Sequence, residues 1–475
     1  MNQIAFRSCL VLAAAVYGAC AQCTSDALQV AQQQLNKTMT YISTREFPLA
    51  TEPPDNHWNY NRAGGDWNTG FYPGWLWYIY EQTLDSSLLS RAKEQTANVS
   101  KLTTVVEQPL GYWLMPSFGL GYQITGNPTY LQDLATGSQA FSTMWVPSAG
   151  VLNTQPTYHA GTENVIIDDM LSIPLMFYAS VNDPGNANSA NWFQYAHSHA
   201  LKMAQNNVRS DGSTYQGTEY NSDGSVYGHF TINGYDVNST WSRGQAFAIY
   251  GFTIAYSYTQ DPALLAAAQQ AAGYWINNLA ADYVPYWDYT QTDYKDSSAA
   301  AIAAAGLLQL STYVTGTESA EYYNAAMNIQ ASLSNPAAYL GDPSNTDGIL
   351  LHGAYWVPGD LDVDNSLIWG DYYFIQGCYM ATPLPPQVIG LTAGKVSSTS
   401  VSLKWEAQTG SIRYTVKRGT VSGGPYTAIA PPPILTTASY TDKTVSAATT
   451  YYYVVSASGV AGQGPNSAEV TVTTP

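Results

Sequence analysis

Tyr256-Ser-Tyr-Thr-Gln-Asp-Pro-Ala-Leu-Leu265 is the stretch whose reading decides the fold of this chain. Tyr, two residues and Thr close one apolar helical run, and Asp-Pro opens the next. An aspartate caps the first free N–H groups of a helix, and proline presets φ for its first turn. The same arrangement recurs at Tyr80–Thr83, Tyr122–Thr125 and Tyr178–Val181, with a weaker copy at Thr312–Thr315. New runs then begin as Asp85-Ser-Ser-Leu-Leu89, Asn127-Pro-Thr-Tyr-Leu131 and Glu318-Ser-Ala-Glu-Tyr322.

These five junctions divide residues 27–381 into six units, each read as a helix, a loop and a second helix. A helical hairpin cannot bury its apolar face alone, so repeated hairpins must stack. Six of them can close into a ring, and closure would bring Cys23 near Cys378, which an open stack would not. The expected fold is an all-α six-hairpin (α/α)6 toroid over residues 22–382. Connections between hairpins are short. Those inside hairpins, such as Asp211–Val237, Ala281–Asp296 and Gly341–Asp362, are long and rich in Gly, Tyr, Trp and Asp. Alternation places all of the long loops at one end, the mouth, where function is expected.

The flanks read differently. Arg7, the apolar run Leu10–Val16 and Ala19-Cys20-Ala21 form a secretory signal over residues 1–21, which predicts a secreted, extracellular protein. Cleavage would leave Cys23 and Cys378 of the 4 cysteines, and a disulfide is expected between them. Pro383-Leu-Pro-Pro386 reads as a linker, and Val401–Trp405, Tyr414–Lys417 and Tyr451–Val455 alternate with strand period. Residues 383–475 are therefore expected to form a small all-β immunoglobulin-like sandwich. This part resembles fibronectin type III and suits a spacer or a module for surface or cell-wall attachment.

Net charge is -17, which argues against nucleic acid and anionic membranes as partners. The 38 Tyr and 13 Trp suit either a glycan site or an aromatic-rich helical core. No metal-ligand spacing, Gly-rich phosphate loop or Gly-x-Ser-x-Gly motif is present, so neither a metal nor a cofactor is expected.

Four stretches open the second helix of a unit and should share the mouth: Trp67-Asn-Thr-Gly-Phe-Tyr-Pro-Gly-Trp75, Val165-Ile-Ile-Asp-Asp-Met170, Trp241-Ser-Arg-Gly-Gln245 and Asp296-Ser-Ser-Ala299. Asp168 and Asp169 sit in an apolar run. A carboxyl there loses solvation and its pKa rises toward the range of general acid–base work, unless both groups cap a helix. Arg243 is one of five arginines in the helical part, with Arg45, Arg62, Arg91 and Arg209. Flanked by Trp241, Gln245 and Phe247, it could clamp a carboxylate or pair with an acidic neighbour such as Asp236. Trp67, Tyr72 and Trp75 either stack on a sugar or belong to the core.

As a set, these motifs resemble glycoside hydrolase family 88, the unsaturated glucuronyl hydrolases, and more loosely family 105. Tyr122-Gln-Ile-Thr-Gly-Asn127, Asp211-Gly-Ser-Thr-Tyr215, Pro285-Tyr-Trp-Asp288 and Asp371-Tyr-Tyr-Phe374 extend the match across about 350 residues. The resemblance implies the same toroid, a substrate whose non-reducing end is a 4,5-unsaturated uronic acid, and hydration of its double bond. It assigns the acid/base to Asp168 rather than Asp169. Trp241, Arg243 and Gln245 fall in the family's Trp-x-Arg-Gly-Gln motif beside the substrate. Phe247 stands where the family has Trp, Gln216 where it has His, and Ile232-Asn233 where it has His-Gln. Trp67, Tyr72 and Trp287 complete the expected substrate-contacting set. The family's His-Asp-Leu-Gly reads Gln108-Pro109-Leu110-Gly111 here, with Glu107 the nearest carboxylate. Two other readings remain: a glycosidase acting on saturated glycans through Asp168 and Asp169, and a non-catalytic glycan-binding protein.

Overall fold

The computed structural model describes residues 17–475 except 55, 63, 157, 160, 409–412, 430–434 and 460–461, with side chains from residue 26 onward. Residues 1–16 of the expected leader and the side chains of Cys20 and Cys23 thus lie outside the described residues.

The helices are α1 (Tyr17–Met39), α2 (Phe71–Thr83), α3 (Ser86–Ala97), α4 (Leu110–Leu114), α5 (Leu120–Thr125), α6 (Pro128–Ser142), α7 (Pro174–Asn182), α8 (Ser189–Asn206), α9 (Ser242–Thr259), α10 (Pro262–Asn277), α11 (Ser297–Ser311), α12 (Gly316–Leu333) and α13 (Ile368–Ala381). A π turn, Met115–Gly119, joins α4 to α5.

The junction motif is a repeated piece of hydrogen-bond chemistry. At the ends of α2, α5 and α9 the tyrosine carbonyl accepts from the residue four ahead: Leu84 N to Tyr80 O at 2.7 Å, Gly126 N to Tyr122 O at 2.8 Å, and Gln260 N to Tyr256 O at 2.8 Å. Leu84, Gly126 and Gln260 all take left-handed backbone, the usual way to end a helix. The threonine hydroxyl donates back one turn, Thr83 to Ile79 O, Thr125 to Gly121 O and Thr259 to Ala255 O. It also accepts from the amide of the next cap, Asp85, Asn127 or Asp261. Those caps then accept from Ser87 N, Thr129 N and Ala263 N.

Two kinds of helix alternate. α9 and α11 are buried over most or all of their length, as expected of helices enclosed by others. α10 buries only Leu264, Ala267, Ala268, Ala271, Ala272 and Trp275, a single stripe at helical spacing. Packing runs in sequence: α2 on α5, α4 on α7, α7 on α9, α9 on α11 and α11 on α13, and α13 returns to α2. Close approach needs glycine at Gly306, where a Cβ would lie 2.9 Å from the Tyr250 Cα. α1 packs on α2, α12 and α13.

Short strands lie on the long loops: β1 (Phe47–Glu52) with β2 (His57–Asn61), β3 (Trp145–Val146) with β4 (Val151–Leu152), β5 (Glu163–Ile166) with β6 (Gly217–Tyr220) and β7 (Val226–Phe230), and β8 (Gly353–Trp356) with β9 (Leu361–Asn365). The C-terminal part is β-rich. One sheet holds β10 (Thr392–Ser397), β11 (Ser400–Lys404) and β14 (Ser439–Asp442). The other holds β12 (Arg413–Gly419), β13 (Thr427–Ala428), β15 (Thr450–Gly459), β16 (Gly462–Gln463) and β17 (Val470–Thr473). Its apolar residues, including Trp405, Val416, Tyr453 and Val455, form a core separate from the helical one. Arg413 reaches back to Glu81, a buried carboxylate near the C-terminal end of α2, at 2.5 Å. This contact lies at the junction end, away from the mouth.

Candidate active site

Asp168 is placed by sheet pairing. β5 pairs with β6 in the register Ile166↔Gly217, and one residue further on Ile167 N donates to Gln216 O at 2.8 Å. The chain then turns into a 3₁₀ helix, Ile167–Leu171, so the two aspartates lie on this turn rather than on α7 itself. The Tyr112 hydroxyl, from α4, donates to the Asp168 carbonyl at 2.8 Å and ties the turn to that helix.

The turn gives its two carboxyls different surroundings. Asp169 is 0% exposed. Its Oδ2 accepts from Thr154 Oγ1 at 2.7 Å and from Ile166 N at 3.2 Å. His199 Nε2 lies 3.4 Å from the same oxygen. Because Leu152 N donates to His199 Nδ1 at 3.0 Å, Nδ1 is unprotonated, so the ring is neutral with its proton on Nε2. Asp169 therefore belongs to a buried network behind the site. This sets aside its expected use as a second carboxyl flanking a saturated glycan.

Asp168 is partly exposed as a residue, but its Oδ2 is buried and lacks a partner. Its pKa is raised to about 7, chiefly because burial penalises the charged form and secondarily because Asp169 lies beside it. Its own backbone, Arg243 and the Gln216 amide oppose the rise. A carboxyl of this kind holds a proton near neutrality and can release it.

Gln216 is tightly oriented. Its Oε1 accepts from Thr231 Oγ1, Ile232 N and Asn233 N, and its Nε2 donates to Asn233 Oδ1 at 2.8 Å. Trp67 lies edge-on to Tyr112 at 5.5 Å and against Trp369 at 4.5 Å. Asp168 is thus linked on one side to Gln216 and Asn233 and on the other, through Tyr112, to Trp67.

Arg243 stands behind them and is only 1% exposed. Its Nη1 donates to Asp296 Oδ2 at 2.7 Å and Ala354 O at 2.6 Å, and its Nη2 donates to Tyr355 O at 2.6 Å. The guanidinium also lies 4.4 Å from the Trp241 ring. Its acidic partner is therefore Asp296, which caps α11 through its other oxygen, and not Asp236. The expected carboxylate clamp is corrected by burial: the guanidinium is all but closed to solvent and spends three of its five N–H groups on these internal partners.

Other expected contacts also prove to be supports. Tyr72 is wholly buried, with Arg91 the nearest charge, so it is a core residue and not a sugar platform. Gln245 is fully buried and spends its amide on Thr214, Gly212 O and Ala271 O. Phe247 is buried edge-on to Trp241 and beside Tyr112. Trp287 is nearly buried, with its Nε1 donating to Asp293 at 2.8 Å. Glu107 is exposed to solvent. Sequence reasoning did not single out Tyr112, Tyr355 or Trp369. Tyr112 directly follows Leu110-Gly111, and Tyr355 lies in a flagged loop, so position alone could have marked them. Among the described residues no group of three or more His, Cys, Asp and Glu could hold a metal ion.

A partly buried acid, a positioned amide and nearby aromatic side chains suit acid–base chemistry on a carbohydrate, the work of a glycoside hydrolase. No family model matches the chain. It is 32% identical over 323 residues to an unsaturated glucuronyl hydrolase from Formosa agariphila, covering 66% of this chain and 78% of that protein. It is 27% identical over 368 residues to an unsaturated chondroitin disaccharide hydrolase from Streptococcus pyogenes, covering 74% and 89%. Among solved structures, an unsaturated glucuronyl hydrolase specific for heparin superposes with a TM-score of 0.71 at 29% identity, covering 76% of this chain and 97% of that one. An aspartate-to-asparagine mutant of the Streptococcus agalactiae enzyme, complexed with dGlcA-GalNAc6S, gives a TM-score of 0.64 at 26% identity, covering 75% and 90%. The chain belongs to the unsaturated glucuronyl hydrolase family.

Proposed function

We propose that the protein removes a 4,5-unsaturated uronic acid from the non-reducing end of an oligosaccharide, with Asp168 as the acid/base. The observation that carries this reading is the Asp168 carboxyl, raised to about 7 and with Oδ2 buried and unpartnered beside Gln216. Protonated Asp168 gives its proton to C4, leaving the positive charge shared between C5 and the ring oxygen. Water adds at C5 and its proton passes to the Asp168 carboxylate, restoring the acid. The C5 hemiketal opens by breaking its bond to the ring oxygen, and C1 then expels the remaining sugar as an alcohol. Arg243, held by Asp296, sets the local charge and braces the β8 backbone, and Gln216 orients the acid.

The test is loss of the substrate's double-bond ultraviolet absorbance on incubation with lyase-generated disaccharides. Turnover should be measurable in the wild type and fall by about a hundredfold to ten-thousandfold in Asp168→Asn. Equal rates in both would overturn the assignment.

The six-hairpin (α/α)6 description rests on the alternation of helices and the return of α13 to α2. The fibronectin type III-like reading of the C-terminal part rests on its two antiparallel sheets around one core. Secretion rests on the leader pattern alone, and a Cys23–Cys378 disulfide on that pattern with the burial of Cys378. Mass analysis of the exported protein, intact and reduced, tests both.

A further inference from the structure

Among the described residues of the helical part, every exposed large apolar side chain except Tyr323 sits on a mouth-side loop. Random surface exposure would scatter such residues. Tyr235 is the most exposed of them at 62%, and Trp356 is exposed by 37%.

These two rings continue the site outward. The Trp356 Nε1 donates to Ile232 O at 2.9 Å, pinning the β8–β9 hairpin over the loop that carries Asn233. Asn233 in turn holds the amide of Gln216 beside Asp168. Two residues beyond Asn233, Tyr235 is held by its backbone N–H to Asp288 Oδ2 at 3.1 Å, and its ring rests edge-on against Trp287 at 6.4 Å. A face of Tyr235 is left to solvent on a braced backbone. Such a platform matches the apolar face of a pyranose, with little ordering of the protein on binding.

Charge narrows the occupant. The cations of the adjoining loops are already engaged: Arg209 by Thr214 O, Val237 O and Ser239 O, and Lys295 by Asp282 and Val284 O. His352 faces Asp364, and Asp360 on the same hairpin is exposed. A sulfated sugar would meet carboxylates there and no uncommitted cation among these groups.

We propose that Tyr235 and Trp356 form a subsite for uncharged sugars on the leaving side of the substrate, so that the enzyme prefers unsaturated oligosaccharides longer than a disaccharide. This rests on Asp168 as the site of reaction, since it defines where the chain extends from.

The experiment compares an unsaturated tetrasaccharide with three uncharged sugars, its sulfated counterpart and an unsaturated disaccharide. Both kcat/KM in the wild type and calorimetric binding to Asp168→Asn are read. The uncharged tetrasaccharide should exceed the disaccharide by about tenfold, which a single stacked ring can supply. In Tyr235→Ala that ratio should fall toward one, and Tyr235→Phe should restore it. A ratio of one in the wild type, a ratio unmoved in Tyr235→Ala, or tighter binding of the sulfated chain overturns the subsite. Because binding needs no turnover, failure of the acid assignment and failure of the subsite are read separately.

Discussion

The two ends of the helical part are built on different principles. At the junction end the turns after α2, α5 and α9 are nearly the same object: a left-handed residue, a threonine bonded one turn back and an Asp or Asn cap. Each is complete within about ten residues. At the mouth end no two loops are alike, and the groups that matter are joined across long stretches of chain. Arg243 meets Asp296 and then Ala354, 53 and 111 residues away. The difference teaches that one end maintains the helix packing and the other can change chemistry without disturbing it.

Substitutions should break this contrast in graded ways. The largest effect is expected at the mouth: Arg243→Met leaves Asp296 buried beside an apolar side chain, which should lower unfolding free energy by about 3–5 kcal/mol in denaturant titrations and abolish turnover. Asp169→Asn should come next. It keeps an acceptor for Thr154 and Ile166 but removes the negative charge that helps raise Asp168. The acid should then lose its proton at lower pH, so the descending limb of the kcat–pH profile should shift down by about one unit. A purely structural role for Asp169 would lower the whole profile without moving its midpoint. His199→Gln keeps an acceptor for Leu152 N and changes no charge if the ring is neutral, so the limb should stay in place. An upward shift would mean that the ring is charged. The smallest effect belongs to the junction end: Asp261→Ala removes one cap and should lower stability by about 1 kcal/mol with kcat unchanged.

Legibility followed the same division. The caps at Asp85, Asn127 and Asp261 were readable because each is a local bond between near neighbours. Asp168 was readable through its motif, and its partly exposed position agrees with the choice of that residue over Asp169. Arg243 was found but its surroundings were not, since nothing in Trp241-Ser-Arg-Gly-Gln245 tells that Asp296 and two β8 carbonyls would occupy it. Tyr72 was misplaced because its helix is apolar on every side, and periodicity then gives no inward direction.

From its residues alone, the chain determined where its helical runs end and restart at the capped junctions after α2, α5 and α9, because these depend on contacts within a turn or two. Only the tertiary structure decided which of two adjacent carboxyls is buried outright and what holds the buried guanidinium. Those outcomes depend on desolvation and on partners from distant loops, and such pairings exist only once the helices have packed.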